Sequence, residues 1–183
     1  EQTQIGELTF YCTSHSNMQS SFNVENWDSS IFLTRQELDT AVDLWISDES
    51  TAIEKYGDIN TWNVSAITDF SSLFMDKTTF NSDIGNWDVS SGTNFEYMFS
   101  EASEFNQDIG DWDVSSGTNF HAMFLCYGNS VFNQDIGDWD VSNGTSFDSM
   151  FEGATEFNQD VGDWDVSSST AFGEMFADAT SFN

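Results

Sequence analysis

Apolar and polar positions along this chain repeat with a long period. Phe80, Phe105, Phe132, Phe157 and Phe182 open the same phrase, at spacings of 25, 27, 25 and 25 residues. The phrase reads FNSDIGNWDVSSGTNFEYMF at 80–99 and FNQDIGDWDVSSGTNFHAMF at 105–124. It returns as FNQDIGDWDVSNGTSFDSMF at 132–151 and FNQDVGDWDVSSSTAFGEMF at 157–176. A degenerate earlier copy from Lys55 keeps Asp58, Ile59, Trp62, Val64, Phe70 and Phe74 in register. The chain therefore divides into five coils, 55–79, 80–104, 105–131, 132–156 and 157–181, and Phe182-Asn183 opens a sixth. Units of this size bury their apolar groups only by stacking on neighbours, so the period predicts a repeat solenoid.

Shorter periods inside the coil predict its elements. Trp87 and Val89 alternate with Asn86 and Asp88, the pattern of a half-buried strand. Phe95, Met98, Phe99 and Ala102 follow i, i+3, i+4, i+7 spacing, the pattern of a short helix. Thr93, Thr118, Thr145 and Thr170 stand where a helix N-cap belongs. Gly85, Gly110, Gly137 and Gly162 precede the strand pattern at a turn. The expected fold class is a leucine-rich-repeat-like α/β solenoid, with one short parallel strand and one helical turn per coil. Stacking in register would also build a ladder of Trp62, Trp87, Trp112, Trp139 and Trp164.

The phrase F-N-Q-D-I-G-x-W-D-V-S followed by x-M-F closely resembles the repeat of the BspA-like leucine-rich-repeat surface proteins. The resemblance covers 55–183. It implies a secreted or surface-anchored, non-enzymatic protein used in adhesion or partner binding, and it supplies no ligand and no catalytic residue. The chain departs from the family in having Phe95, Phe120, Phe147 and Phe172 where Met is commoner, and in placing Ser-Gly before the Thr.

The ends differ from the middle. Residues 34–54 read as a helical N-terminal cap: Thr34-Arg35-Gln36-Glu37 is a capping box, and Leu38, Ala41, Val42 and Trp45 share one apolar face. Thr51 and Glu54 repeat the device for a second short turn. Residues 1–33 form a polar, extended arm, with strand-like alternation through Ile5, Leu8, Phe10 and Tyr11. Within the arm, Phe22-Asn23 and Asn26-Trp27-Asp28-Ser29-Ser30 echo the coil phrase, against the alternative of coincidence in a Ser/Asn/Asp-rich stretch. No cap is apparent after the coil 157–181, which leaves Phe172, Met175, Phe176 and Phe182 partly wet and a row of backbone groups unpaired. Truncation, tolerance of an open coil, and docking of another copy's arm all account for this. Docking joins Phe22 and Trp27 of one copy to Phe172, Phe176 and Phe182 of the next, by strand addition and head to tail, which builds a filament when it does not close. A first residue Glu1 rather than Met points to a mature chain after signal removal or to a fragment.

Composition then narrows the partners. With 32 Asp plus Glu against 3 Lys plus Arg, a formal charge of −29, the chain has no basic face for nucleic acid. It has no apolar run long enough to insert in a membrane. The 16% aromatic content argues against disorder. The acid falls into ladders: Asp83, Asp108, Asp135 and Asp160; Asp88, Asp113, Asp140 and Asp165; and Asp111, Asp138 and Asp163. Coils at ordinary strand spacing, about 4.8 Å, would set like charges against one another at a cost of roughly 1 kcal/mol per pair in water. Raised carboxylate pKa values, high salt or bound cations would offset this, and hard oxygen ligands favour Ca²⁺, which makes the first two ladders candidate calcium ligands. The competing reading has the Asp side chains accepting turn N–H groups or forming a solvated edge.

Cys12 and Cys126 allow one bridge, within a chain or between copies, or two free thiols. Asn63-Val64-Ser65 and Asn143-Gly144-Thr145 are N-glycosylation sequons on predicted exterior positions. His15 and His121 are too far apart in sequence to suggest a pair, and an Asp pair repeated in every coil argues for architecture rather than catalysis. The expectation is an extracellular or cell-surface, non-enzymatic structural protein that assembles head to tail. The alternative is a monomeric adhesion module for a protein or glycan, with Ca²⁺ as the candidate ion. Ice or mineral binding through the Ser and Thr ladders ranks third.

Overall fold

The computed structural model of the chain describes residues 8–11, 19–22 and 30–183. Two short strands, β1 (Leu8–Tyr11) and β2 (Gln19–Phe22), pair antiparallel with Leu8 opposite Phe22. Cys12, His15 and Trp27 lie outside the described residues.

Two helices follow. In α1 (Arg35–Ser47) the capping box forms: Thr34 Oγ1 accepts from the Glu37 N–H, and the Glu37 carboxylate accepts from the Thr34 N–H at 3.0 Å. Asp48 ends α1 and caps α2 (Glu49–Tyr56) by accepting from the Thr51 N–H. The second cap is therefore Asp48 rather than Thr51. Gly57, at φ 76°, ends α2 in the left-handed region that favours glycine. Leu38, Ala41, Val42 and Trp45 of α1 are buried in the same core as the first coil, and Trp45 meets Trp62 edge-on. Arg35 donates to the Asp69 carbonyl and Lys77 pairs with Asp43, so α1 is tied to the coil 55–79 near both ends.

The five coils stack as layers, but not from the elements expected. Residues 57–183 hold no strand, no sheet and no α-helix; they are turns joined by isolated parallel bridges, with one 3₁₀ turn at Ile59–Thr61. This overturns the leucine-rich-repeat-like α/β reading. The stretch expected to be helical is a ribbon of consecutive β-turns. Leu73 N–H bonds Phe70 O and Lys77 N–H bonds Phe74 O, with Ser72 and Asp76 at φ 57° and 62°. A third residue with positive φ after a second with negative φ marks a type II turn, whose second residue is extended rather than helical. Tyr97 and Glu101 repeat the pair one layer on, as do Glu174 and Asp178 in the last layer. The intervening N–H groups point along the stack: Phe70, Ser72, Phe74 and Asp76 bond the carbonyls of Asn94, Glu96, Met98 and Ser100 at 2.8–2.9 Å. The ribbon thus combines the layer-to-layer bonding of a sheet with a four-residue side-chain repeat. That repeat puts Phe70 and Phe74 on one face, as a helix would, which is why sequence spacing cannot separate the two.

The Trp-Asp-Val stretch does alternate, with Trp87 and Val89 buried and Asp88 exposed. Side chains carry its cross-layer bonds. Trp87, Trp112, Trp139 and Trp164 donate Nε1–H to the carbonyls of Ile59, Ile84, Ile109 and Ile136 in the preceding layer. Trp62 and Trp87 form the one stacked Trp pair among the described residues. The continuous ring ladders are phenylalanine: Phe70, Phe95, Phe120, Phe147 and Phe172 stack at 5.4–5.7 Å, within 8° of parallel. Phe74, Phe99, Phe124, Phe151 and Phe176 form a second ladder. The Thr residues expected as helix caps have another task. Thr118 N–H and Oγ1–H both donate to Thr93 O, sewing layer to layer.

Candidate functional site

The layer 157–181 differs from those before it in what it leaves open. In each earlier layer four ribbon N–H groups bond the next layer; the fourth layer's donors, Phe147, Ser149, Phe151 and Gly153, bond Ala171, Gly173, Met175 and Ala177 at 2.7–2.9 Å. The corresponding donors of the last layer are Phe172, Glu174, Phe176 and Asp178, and none has a backbone partner among the described residues. The rings there are uncovered on one side: Phe172 is 39% exposed, while its ladder mates Phe95, Phe120 and Phe147 are fully buried. Met175, Phe176 and Phe182 are half-buried against the same core. Sequence reasoning located these rings and expected unpaired backbone groups beside them; which N–H groups form the row depends on the turn ribbon.

Two residues already occupy the next layer's place. Phe182 stacks on Phe157 at 5.9 Å and on Phe176 at 4.0 Å. The Asn183 N–H bonds Asn158 Oδ1, as Asn158 N–H bonds Asn133 Oδ1 and Asn133 N–H bonds Asn106 Oδ1. Beside them an open groove of about 480 Å³ is lined by Asn158, Gln159, Asp160, Val161, Gly162, Phe182 and Asn183. Gln107, Gln134 and Gln159, not singled out from sequence, each donate Nε2–H to both oxygens of an Asn in the layer before. Their signal was present as a Gln fixed beside Asn in three phrases. Phe22 lies in β2 with its backbone opposite Leu8, and Trp27 lies outside the described residues, so these two partners in docking are not placed against the layer.

The acid ladders are built into turns. Asp83, Asp108, Asp135 and Asp160 accept from the N–H of Gly85, Gly110, Gly137 and Gly162 at 2.9–3.0 Å. Asp88, Asp113 and Asp140 accept from both the N–H and the hydroxyl of the Ser two residues on; Asp165 accepts the Ser167 N–H. The hydroxyl bonds first, and the N–H bonds after them, hold Asp113, Asp140 and Asp165 below the usual carboxylate range, although Asp140 pushes Asp113 the other way and Asp165 does the same to Asp140. Raised pKa values are therefore not how these three tolerate their neighbours. Among the described residues, no three His, Cys, Asp or Glu side chains gather as a metal-ion group.

The sequons separate on geometry. Asn63 is exposed and uses Oδ1 to accept from Ser65. Asn143 is exposed too, but its Nδ2 donates to Ser115 O at 2.9 Å, a bond that a glycan on that nitrogen would compete with. Cys126 carries a free buried thiol whose pKa is raised, first by burial. His121 is half-buried, with Nε2 2.8 Å from the Tyr97 hydroxyl.

A family model described as Mycoplasma protein of unknown function, DUF285, matches residues 40–127 and 125–183. Neither the curated proteins nor the solved structures give a match.

Proposed function

The chain belongs to the DUF285 family, and from that premise we propose that it is a non-enzymatic structural repeat protein of the cell surface or extracellular space that assembles head to tail. The observation that carries this is the open layer, with four aligned N–H donors and a half-wet aromatic face. The wet aromatic face costs free energy in water, and a row of unpaired N–H groups is a template for a further layer. Charge polarity supports the direction: Arg35, Lys55 and Lys77 are all the Lys and Arg of the chain, and 78–183 carry neither. One end of the stack is thus less acidic than the other, which favours end-to-end over side-by-side contact. α1 covers the first coil, so the covering element is the N-terminal arm, through the Phe22-Asn23 and Asn26-Trp27-Asp28-Ser29-Ser30 echo of the coil phrase. Kinship to the BspA-like surface proteins belongs to the same reading, as does glycosylation at Asn63.

Electron microscopy and light scattering of the purified chain, with and without residues 1–30, test this. The full chain forms concentration-dependent linear assemblies and the shortened chain is a folded monomer. Filaments that survive the deletion, or a full chain that stays monomeric at high concentration, overturn the proposal. The second of these outcomes favours the monomeric adhesion module.

A further inference from the structure

We propose that the loop 127–131 of the third layer is a docking surface for a basic protein segment, which sets an arginine on Tyr127 and further cationic side chains on the glutamates around it. The loop lies in the side of the stack, so it is independent of how the ends are covered. It exists because the third coil is two residues longer than its neighbours. In the first, second, fourth and fifth layers the second ribbon turn closes through the N–H of Lys77, Ala102, Ala154 and Ala179, each bonding the carbonyl three residues back. In the third layer the corresponding N–H is that of Tyr127, and it bonds Glu101 Oε1 of the layer before at 3.1 Å. Cys126 Sγ donates to the other oxygen of the same carboxylate at 3.8 Å. The backbone leaves the stack there and returns at Val131, whose N–H bonds Ser103 O at 3.2 Å. The next layer is shaped to fit: a Cβ on Gly153 would collide with the Cys126 carbonyl. Ser130 is buried, and its carbonyl accepts from the Thr155 hydroxyl at 3.3 Å. The loop is thus pinned at both ends and from both neighbouring layers, which spares a partner the cost of ordering it.

What the loop presents is an uncovered ring among carboxylates. Tyr127, at 75%, is the most exposed large apolar side chain among the described residues, and Val131 at the loop's other end is 42% exposed. Residues 78–183 contain six Glu; five belong to the two layers that flank the loop, and the loop's own layer has none. Val131 takes the place that Glu104 and Glu156 hold on either side of it. Glu156 also shares an open groove of about 590 Å³ with Asn129, Ser130 and Val131. The Tyr127 phenol is pushed above its ordinary value, first by the charge of Glu152 and further by those of Glu174 and Glu101. Three carboxylates therefore bear on one exposed ring, and 78–183 hold no Lys or Arg to balance them. An anionic segment would be repelled, and a neutral one would strip water from the carboxylates without pairing them. A guanidinium meets both demands, because its plane stacks on the ring and its N–H groups bond carboxylates. Among the described residues no three His, Cys, Asp or Glu side chains gather to hold a metal ion. The glutamates are instead spread over the second, fourth and fifth layers, which suits cationic side chains set along a segment. The Asp ladders differ, since their carboxylates already accept from their own turns.

The probe is a synthetic peptide of four Arg-Gly-Ser repeats, added to the full chain and followed by calorimetry and backbone amide NMR. The expected result is saturable binding that weakens with salt and moves the amides of 126–131 and Glu152 most. Tyr127→Ala weakens binding at least tenfold and leaves the Tm unchanged, while Tyr127→Phe keeps binding within twofold. Glu152→Gln combined with Glu156→Gln also weakens it at least tenfold, and serves in place of Tyr127→Ala if that variant does not fold. Asp138→Asn combined with Asp163→Asn removes the same charge from the Trp edge and changes binding less than twofold, which separates a built surface from the general attraction of an acidic chain. No binding, equal weakening by the two charge pairs, or indifference to Tyr127→Ala overturns the inference. So does a neutral oligosaccharide, or Ca²⁺ alone at matched ionic strength, that moves these amides when the peptide does not.

Discussion

The first Phe ladder offers an internal control, because one side chain occurs on it in five layers with a graded environment. Phe120 is fully buried, with rings 5.5 Å below at Phe95 and 5.4 Å above at Phe147. Phe172 has one such neighbour, Phe147 at 5.7 Å, and is 39% exposed. Truncating a buried Phe to Ala costs about 4 kcal/mol, and the two lost ring contacts move the expectation for Phe120→Ala to about 5 kcal/mol. For Phe172→Ala, about three-fifths of that burial and one ring contact are lost, so about 3 kcal/mol is expected. The difference of about 2 kcal/mol corresponds to roughly 4–8 °C in Tm for a domain of this size. Urea titration followed by tryptophan fluorescence, at low protein concentration so that the last layer stays uncovered, measures both. Phe120→Ala also cuts the stack in its middle, so its transition broadens or splits as nearest-neighbour coupling fails. Equal losses within about half a kcal/mol would refute the reasoning, since one-sided and two-sided burial would then be equivalent.

Trp112→Phe should cost about 2 kcal/mol by urea titration, half from the Nε1–H bond to Ile84 O and half from lost volume; a neutral change would mean that the indole latches hold nothing. For Asp140, the Ser142 hydroxyl and then its N–H favour the carboxylate, so its folded pKa lies below the unfolded one. Its contribution to stability is thus present above the ordinary Asp range and lost as pH falls through the folded value. Carboxyl NMR should put its midpoint below that range, and Ser142→Ala should raise it; an unmoved midpoint would discard the hydroxyl as cause. Ring spacings of 5.4–5.7 Å between layers leave like-charge repulsion of about 1 kcal/mol per pair in water, which salt screens. Raising NaCl from low to physiological strength should therefore raise Tm. Ca²⁺ giving a rise well beyond that of Mg²⁺ at matched ionic strength would assign the ladders an ion instead.

The layers, their register, the rings that fill them and the Thr34 capping box were legible in the sequence, because stacking forces each apolar position to recur at a fixed offset. The elements inside a layer were not. A type II turn ribbon and a helix both return a side chain to one face after four residues, so Phe70 and Phe74 are spaced alike in either. What separates them is where the backbone N–H groups go, and those of Phe70 and Ser72 go to a neighbour 24 residues away. Likewise, composition placed the acid in ladders, while only the fold showed Asp113 and Asp140 accepting hydrogen bonds from their own Ser residues. Sequence alone determined which residues stack; the tertiary structure decided how the backbone bonds between layers, because hydrogen-bond direction leaves no trace in side-chain spacing.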